Sequence, residues 1–526
     1  MPDGVNPSQP RAVVIGAGIG GLSAALRLAH RGLPVEVVDM APGPGGKMRT
    51  RASSTGPVDI GPTVMTMRHV FEELFEAVGE RLADHVTLHP DTVLARHWWR
   101  DGSSLDLHSD PEASAAAVRG FAGAAAEAEF RAFSKKAWRL FEAFDAPVMQ
   151  EAEPKLSSLT AHVLKEPSLI AAMAPGLSMA RSLRMEFSDP RLRQLFGRYA
   201  TYVGGSPYLS PAILGLIFHS EASGVWRVEG GMHMLARALH KLALARGVTF
   251  RFGAEARRIE TQDERCTAVH LTDGTRLAAD IVLFNGDPKA LHEGRLGPSP
   301  RRAVPRRGVE PRSLSAFVWG FAAEAHGADL AHHNVFFCDD PRAEFGDIAQ
   351  GRMPRDATLY LCAQDRGGAD APTGRERFEI IMNGPPGYRA TDEDRRTCRT
   401  RTFETLSRMG LTFSPAPDLS HLTTPDDFDR AFPASDGSLY GRSPHGMMAT
   451  FHRPVARTGL RGLYLCGGGT HPGAGIPMAC LSGRHAAAAI WSDLASTSTF
   501  PRTATPGGMS TGSATMASAP SRSSAS

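Results

Sequence analysis

The chain has little cysteine, no surplus of either charge and no unbroken apolar run, and each shortage removes a class of protein. Six cysteines stand among 526 residues, at Cys266, Cys338, Cys362, Cys398, Cys466 and Cys480, with no C-x-x-C pair. That scatter argues against a disulfide scaffold and against a zinc module, and suits six buried or indifferent thiols in a reducing cytoplasm. Fifty-eight lysines and arginines face 55 acids, a net charge of +3, so nothing points to a nucleic-acid partner. A long uncharged stretch between Arg198 and Glu221 is interrupted by Gly204, Gly205, Pro207 and Pro211. A membrane-spanning helix needs about 20 mostly apolar residues. The stretch therefore reads as a buried turn plus a core helix. The first ten residues are polar and Pro-containing, and no signal peptide is expected.

What is present begins at Arg11. Ala12 to Ile15 is a short β-branched run, and Gly16, Gly18 and Gly21 then set out G-x-G-x-x-G before a helical stretch. Gly16 suits a tight strand-to-helix turn, Gly18 a close backbone approach by a pyrophosphate, and Gly21 close packing of helix on strand. The helix N-terminus offers unpaired N–H groups to the phosphates. A second apolar run, Val35 to Val38, ends in Asp39, an acceptor for both hydroxyls of an adenosine ribose. This is the pattern of an adenine-dinucleotide site.

Downstream, the Gly45-Gly46 doublet precedes Lys47, and Val70 to Val78 has helical periodicity. Val93 to Leu107 alternates around Asp101-Gly102 and predicts a hairpin. From Pro111 to Arg198 the pattern is helical. Its Leu- and Met-rich part, Leu156 to Leu183, reads as core, with a membrane-dipping lid as the alternative that Lys155, Lys165, Arg181 and Arg184 favour. Leu235 to Arg246 reads as a helix, and Val248 to Phe252 as a strand. An alternating ribbon with an Asp273-Gly274 turn follows. Ala279 to Asn285 is a buried strand returning to the nucleotide domain. Arg295 to Arg312 reads as a solvated Pro/Arg linker, and Leu314 to Asn383 as strands of a second sheet. From Ser496 the Ser/Thr/Ala/Pro/Gly tail is expected to be disordered.

The far end decides which dinucleotide. Leu463 to Cys466 is a strand running into Gly467-Gly468-Gly469-Thr470-His471-Pro472-Gly473-Ala474-Gly475-Ile476-Pro477-Met478. A second glycine turn opening a second helix suits a long cofactor held at both ends, which favours FAD over NAD.

The GAGIGGL opening, the GPGGK doublet, DIGPTV, VEGGM, LAHHNVFF and the closing GGGTHPGAGIP together resemble the carotenoid (phytoene) desaturase family of flavoproteins, across the chain up to about Asp493. MACLSGRHAAAAI, DIGPTVMT and VWRVEGGMHMLARAL are most similar to its 1-hydroxycarotenoid 3,4-desaturases, or methoxyneurosporene dehydrogenases, of purple photosynthetic bacteria. The resemblance implies an α/β fold: a Rossmann-type FAD-binding domain with an interleaved substrate domain of mixed sheet plus helical layer. The FAD domain would be discontinuous (11–110, 224–295 and 455–495). A helical, membrane-associating lid would fill 111–223, a substrate domain 296–454 and a tail 496–526.

It implies FAD contacts from Gly16, Gly18, Gly21, Asp39, Gly45, Gly46, Lys47, Thr63, Val64, Ala256, Gly469, Ile476 and Met478, with Thr50 as the small hydroxyl after the doublet. Asp39 stands where relatives usually carry Glu, and Lys47 where many carry Arg, which puts a bidentate contact there in doubt. The implied reaction puts a 3,4 double bond into a 1-hydroxy or 1-methoxy acyclic carotenoid, on the cytoplasmic face of the inner membrane.

Hydride loss beside a polyene leaves a delocalised allylic cation, so a strong protein base is less needed than in carbonyl chemistry, and positioning in an apolar tunnel is what remains. Glu229 and His471 are candidates for proton removal because they lie in flavin-linked motifs; a hydrogen-bonded turn is the alternative role for His471. His332 and His333 invite a metal reading, but adjacent strand residues point apart and lack partners at ligand spacing, so no metal is expected. A phytoene desaturase or carotenoid isomerase, a non-catalytic prenyl-binding escort and a soluble amine oxidase remain as alternatives.

Overall fold

The computed structural model describes residues 9–368 and 372–498; the expected disordered tail lies outside these residues from position 499 onward. Residues up to Ile490 form one compact unit. Its first sheet is wholly parallel, in the order Leu463–Leu465, Ile281–Phe284, Ala12–Ile15, Val35–Asp39, Thr249–Phe252. The strands Leu463–Leu465, Ile281–Phe284 and Ala12–Ile15 are buried almost throughout, which is why they read as continuous apolar runs, whereas the edge strand Thr249–Phe252 is partly exposed. Ile15 pairs with both Phe284 and Val38, and Phe284 with Leu465. The carboxyl ends of four strands therefore finish together at Gly16, Asp39, Asn285 and Cys466, where an open α/β sheet leaves its binding crevice.

The second sheet runs Leu411–Ser414, Ser315–Gly327, Glu376–Gly384, Leu359–Ala363, His333–Phe336, Val93–Trp98, Ser104–His108. The hairpin expected over Val93 to Leu107 is formed, but it joins this sheet and not the nucleotide sheet, because Val93–Trp98 pairs in parallel with His333–Phe336. The residues 11–110 therefore divide between two sheets.

Alternation gives the second sheet two unlike faces. Phe317, Trp319, Phe321, Phe378, Ile380 and Leu361 pack into one buried cluster. The intervening residues, among them Val318, Ile381, Tyr360 and Val335, form the floor of a cavity.

Helices cover that floor. Pro111–Phe144 starts at Asp110, whose carboxylate accepts from the Glu112 N–H at 3.1 Å, and Pro111 occupies the first turn, where its missing N–H costs nothing. Gly123, at φ +89°, breaks it into two segments. Phe133, Phe187, Phe196 and Phe218 interlock beneath, with Phe133 and Phe196 ring centroids 4.6 Å apart; each such side chain contributes about 1.5–3 kcal/mol by burial.

The Leu- and Met-rich stretch is not uniformly core. Leu169, Met179 and Leu183 are buried, whereas the helix Leu156–Lys165 buries no residue. The Arg295–Arg312 segment is not a simple solvated loop either. It holds the short helix Pro298–Arg301, buries Val304 and Val309, and sends Arg312 inward to pair with Asp287 at 2.5 Å. Among the described residues no helix is long and apolar enough to cross a membrane, and all six cysteines are buried and free.

Candidate functional site: a dinucleotide crevice opening into an apolar chamber

The opening turn is shaped by contacts that exclude side chains. A Cβ on Gly21 would lie 2.2 Å from the Gly16 carbonyl oxygen, so Gly21 lets the helix Ile19–His30 sit on its strand. Asn285 donates from Nδ2 to that same carbonyl at 3.0 Å and so ties the strand Ile281–Phe284 to the turn. The first-turn N–H groups of the helix have no partner within it and face the crevice between strand ends.

The doublet docks onto this turn. Gly45 N–H donates to Ala17 at 2.9 Å, and Gly18 and Gly45 form an isolated bridge. Asp59 holds the next two motifs together, accepting from the N–H of Met232 at 2.6 Å and of His233 at 3.4 Å. The VEGGM motif therefore closes over DIGPTV, and Gly231 is required there because a Cβ would lie 2.5 Å from the Asp59 carboxylate.

Asp39 accepts from Ala17 N–H at 2.6 Å on one oxygen and from Ala41 N–H at 2.7 Å on the other. Burial raises its pKa, and those two N–H bonds oppose the rise. Lys47 donates from Nζ to the Leu439 carbonyl and lies 5.5 Å from the centre of the Phe432 ring. Burial lowers its pKa to about 8. The point charge is thus spent on a carbonyl and an aromatic face, a geometry that needs no planar fork.

The closing turn meets the opening one directly. A Cβ on Gly20 would stand 2.8 Å from the Gly467 nitrogen, and one on Gly441 would stand 2.9 Å from Gly469 Cα. Arg453 clasps the assembly, donating to the carbonyls of Gly468 at 2.9 Å and Tyr440 at 2.9 Å.

One cavity of about 1200 Å³ runs through all of this. Gly16, Gly18, Asp39, Gly45, Gly46, Lys47, Thr63, Val64, Ala256, Gly469 and Ile476 line it; Gly21 packs behind the turn, and the wall near Met478 is made by Ile476, Pro477 and Ala479. From there it continues over the second sheet's floor, past Ile60, Val318 and Ile381, and under the helical cover at Tyr202 and Tyr208. Drug-sized pockets occupy about 300–1,000 Å³, so this space exceeds what one such ligand needs.

Neither candidate proton acceptor lines it. Glu229 is 66% exposed and pairs with His89 at 3.0 Å. His471 is buried, with Nε2 2.9 Å from the Glu151 carbonyl oxygen, which is the hydrogen-bonded turn role.

Contrary to expectation, the adjacent histidines do not point apart, and they have a neighbour at ligand distance. His332 and His333 have ring centroids 4.5 Å apart, and Cys362 comes from the neighbouring strand, all three offering ligand atoms within 4.8 Å. Hydrogen bonds engage both nitrogens of His332 and Nδ1 of His333, while His333 Nε2 has no hydrogen-bond partner among the described residues. His332 has Nδ1 3.0 Å from the Arg366 carbonyl oxygen and Nε2 3.5 Å from Cys362 Sγ, while His333 Nδ1 is 2.8 Å from the Tyr360 hydroxyl. Burial raises the pKa of the Cys362 thiol well above its ordinary value, which favours the protonated form over the thiolate that a metal would take.

Sequence reasoning missed the polar groups on the chamber floor. Glu379 is fully buried, with Oε2 3.3 Å from Thr63 Oγ1, and Thr63 Oγ1 is 2.9 Å from the Tyr360 hydroxyl. Burial raises the Glu379 carboxyl well above the usual carboxylate range, and the Asp59 charge adds to the rise. A lone acid between Phe378 and Ile380 was the available signal. Arg198 and Glu221, the charges flanking the long uncharged stretch, are 3.7 Å apart and share the Tyr202 hydroxyl, and Glu221 also accepts from the Tyr199 hydroxyl.

The two-turn parallel sheet with a second sheet beside it is an FAD-binding α/β architecture. Putrescine oxidase bound to putrescine superposes with a TM-score of 0.58 at 15% identity, covering 92% of this chain and 99% of the other. Cyclohexylamine oxidase from Brevibacterium oxydans does so with a TM-score of 0.55 at 18% identity, covering 93% and 100%. At such identities the likeness concerns the fold alone.

Residues 19–491 match the family of flavin containing amine oxidoreductases. The chain is 56% identical over 489 residues to hydroxyneurosporene desaturase of Cereibacter sphaeroides, covering 93% of this chain and 99% of the relative. It is 52% identical to that of Rhodobacter capsulatus (92% and 98%), and 45% identical to that of Rubrivivax gelatinosus (96% and 98%). The chain belongs to the flavin-containing amine oxidoreductase family, in its carotenoid desaturase branch, and is an FAD-dependent oxidoreductase.

Proposed function

We propose that this chain desaturates the C3–C4 bond of an acyclic carotenoid carrying a 1-hydroxy or 1-methoxy group. The observation that carries the reading is the single cavity that starts at the dinucleotide turns and continues into a chamber with an apolar floor. Hydroxyneurosporene desaturases of matching length support the substrate class. Bound FAD supplies the hydride acceptor.

The chain's own residues do the rest. Gly16 and Gly18 leave backbone open to the pyrophosphate at the helix N-terminus. Asp39 keeps acceptor capacity for the ribose beyond its two N–H partners. Gly45, Gly46 and Lys47 line the crevice from the side, and Ala256, on the same cavity wall, would take the adenine. Thr63, Val64, Gly469 and Ile476 border the far end, with Gly21 and Met478 supporting from behind. Val318, Ile381 and Val335 align the polyene and exclude water, which keeps an allylic cation from capture.

Access from a bilayer completes the reading. Leu156, Leu164, Ile170 and Met185 are exposed on the helical cover, at 48%, 65%, 39% and 75%. With Lys155, Lys165, Arg181 and Arg184 beside them, they suit a peripheral contact with the anionic inner face of a membrane.

Reconstitution with FAD and 1-hydroxyneurosporene in liposomes tests the reaction. A red-shifted polyene spectrum is expected. No shift with this substrate, together with a shift on phytoene, would move the activity to an earlier desaturation, and turnover of amines alone would move it out of carotenoid chemistry.

A further inference from the structure

One row of the chamber floor gathers several polar side chains. Strand register places Gly320, Glu379, Cys362 and His333 side by side across four strands, and their side chains share the cavity face. Gly320 cannot carry a side chain, since a Cβ there would lie 2.1 Å from Ile60 Cγ2. Ile60 therefore covers that end of the row and leaves Glu379 as its first functional group. Glu379 Oε2 is held by Thr63, whereas Oε1 is buried and has no hydrogen-bond partner among the described residues. A buried oxygen without a partner costs free energy that a ligand group can recover.

The position of the row matters as much as its chemistry. Thr63, the direct partner of Glu379, belongs to the DIGPTV segment that borders the crevice. Tyr440 lines the same cavity as Glu379, and it precedes Gly441, which abuts Gly469 of the closing turn. Glu379 is thus at the end of the cavity where the turns meet. Resting on the carotenoid reading above, the substrate chemistry demands a polar group at that place. The oxygen on C1 is separated from C3 by two carbon–carbon bonds, so it stays within roughly 5 Å of the reacting C3–C4 bond in any staggered conformation. Whatever recognises that oxygen must stand beside the reacting bond, not at the far end of the chamber.

We propose that Glu379, held by Thr63, which is itself hydrogen-bonded to the Tyr360 hydroxyl, is the residue that recognises the C1 oxygen of the substrate, with Oε1 as the hydrogen-bonding atom. Burial raises the carboxyl pKa, which favours its neutral form, the form that pairs with a tertiary alcohol without an unpaired charge in an apolar chamber. Glu344 is the other buried acid with a free oxygen on the cavity wall, but its bonded oxygen faces the Cys338 thiol at 3.3 Å, on the helix Pro341–Ala349 and away from Thr63.

The test compares 1-hydroxyneurosporene with 1,2-dihydroneurosporene, the same chain without the oxygen, on FAD-loaded protein of verified flavin content. Wild type is expected to prefer the hydroxylated substrate by at least about a hundredfold in kcat/KM, and in the same order in dissociation constants read by absorption titration. Glu379→Leu should bring the ratio to within about threefold, while Glu379→Gln, which keeps shape and hydrogen bonding, should retain most of it. Glu379→Met takes the place of the leucine variant if that protein does not fold.

A full preference in an apolar variant with normal flavin content overturns the proposal, as does loss of preference in Glu344→Gln but not at Glu379. Equal wild-type turnover of the two carotenoids also overturns it and leaves the desaturase reading standing. A wild type inert toward both removes that reading, and this one with it.

Discussion

Gly20 belongs to no motif position assigned from the sequence, yet it is where the two ends of the chain touch. A Cβ at this position would lie 2.7 Å from Asn285 Oδ1, 2.8 Å from Gly467 N and 3.0 Å from Gly467 Cα. Two effects oppose each other in Gly20→Ala. Inside a helix, alanine is favoured over glycine by about 0.5–1 kcal/mol. Overpacking a filled site costs about 1–3 kcal/mol, and two of the three obstructing atoms are backbone that cannot rotate away. The clash wins, and a net loss of about 1–2 kcal/mol is expected. The displaced atoms are those of the closing turn, so FAD retention should fall in step.

Thermal unfolding with and without added FAD, alongside flavin content after gel filtration, measures both effects. Gly43→Ala is the control, since nothing lies within 4 Å of a Cβ there and its backbone is not left-handed. A Gly20→Ala protein that melts at or above wild type and keeps its flavin would refute the idea that the two turns are in contact-limited register.

Other outcomes follow from the same geometry. Asp39→Asn leaves one of two backbone N–H donors without an acceptor, and FAD affinity by fluorescence titration should weaken by roughly tenfold or more. Lys47 titrates near 8 in the folded protein against an ordinary 10.5. Between those values the unfolded chain binds more protons, so the stability of FAD-free protein should rise with pH across that window. Denaturation midpoints of Lys47→Met across the same window should lack that rise. Leu164→Glu and Ile170→Glu, on exposed positions of the helical cover, should each lower co-sedimentation with anionic liposomes by about tenfold and leave melting temperature unchanged; a variant that binds as wild type does would remove that face from the membrane contact.

Much of the nucleotide half was legible in the residues alone, because its demands are local. A strand must end in a tight turn at Gly16, where φ is +104°, and Gly21 must let a helix approach its own strand. Those needs are written within a few positions of one another. The closing turn was legible for the same reason, and the motifs carried the family. What tertiary structure alone decided is everything that depends on partners remote in the chain. The Val93–Trp98 hairpin could be seen in its alternation, but only pairing with His333–Phe336 chose its sheet. Lys47 finds its acceptor at Leu439, and Arg312 is drawn out of an expected loop by Asp287. Glu379 is one charge in an apolar run until strand register sets it beside Gly320 and Cys362 and Thr63 closes over it. Local sequence specifies backbone conformation through sterics and hydrogen bonds over a few residues, whereas burial and unmet hydrogen bonds arise only when distant segments meet.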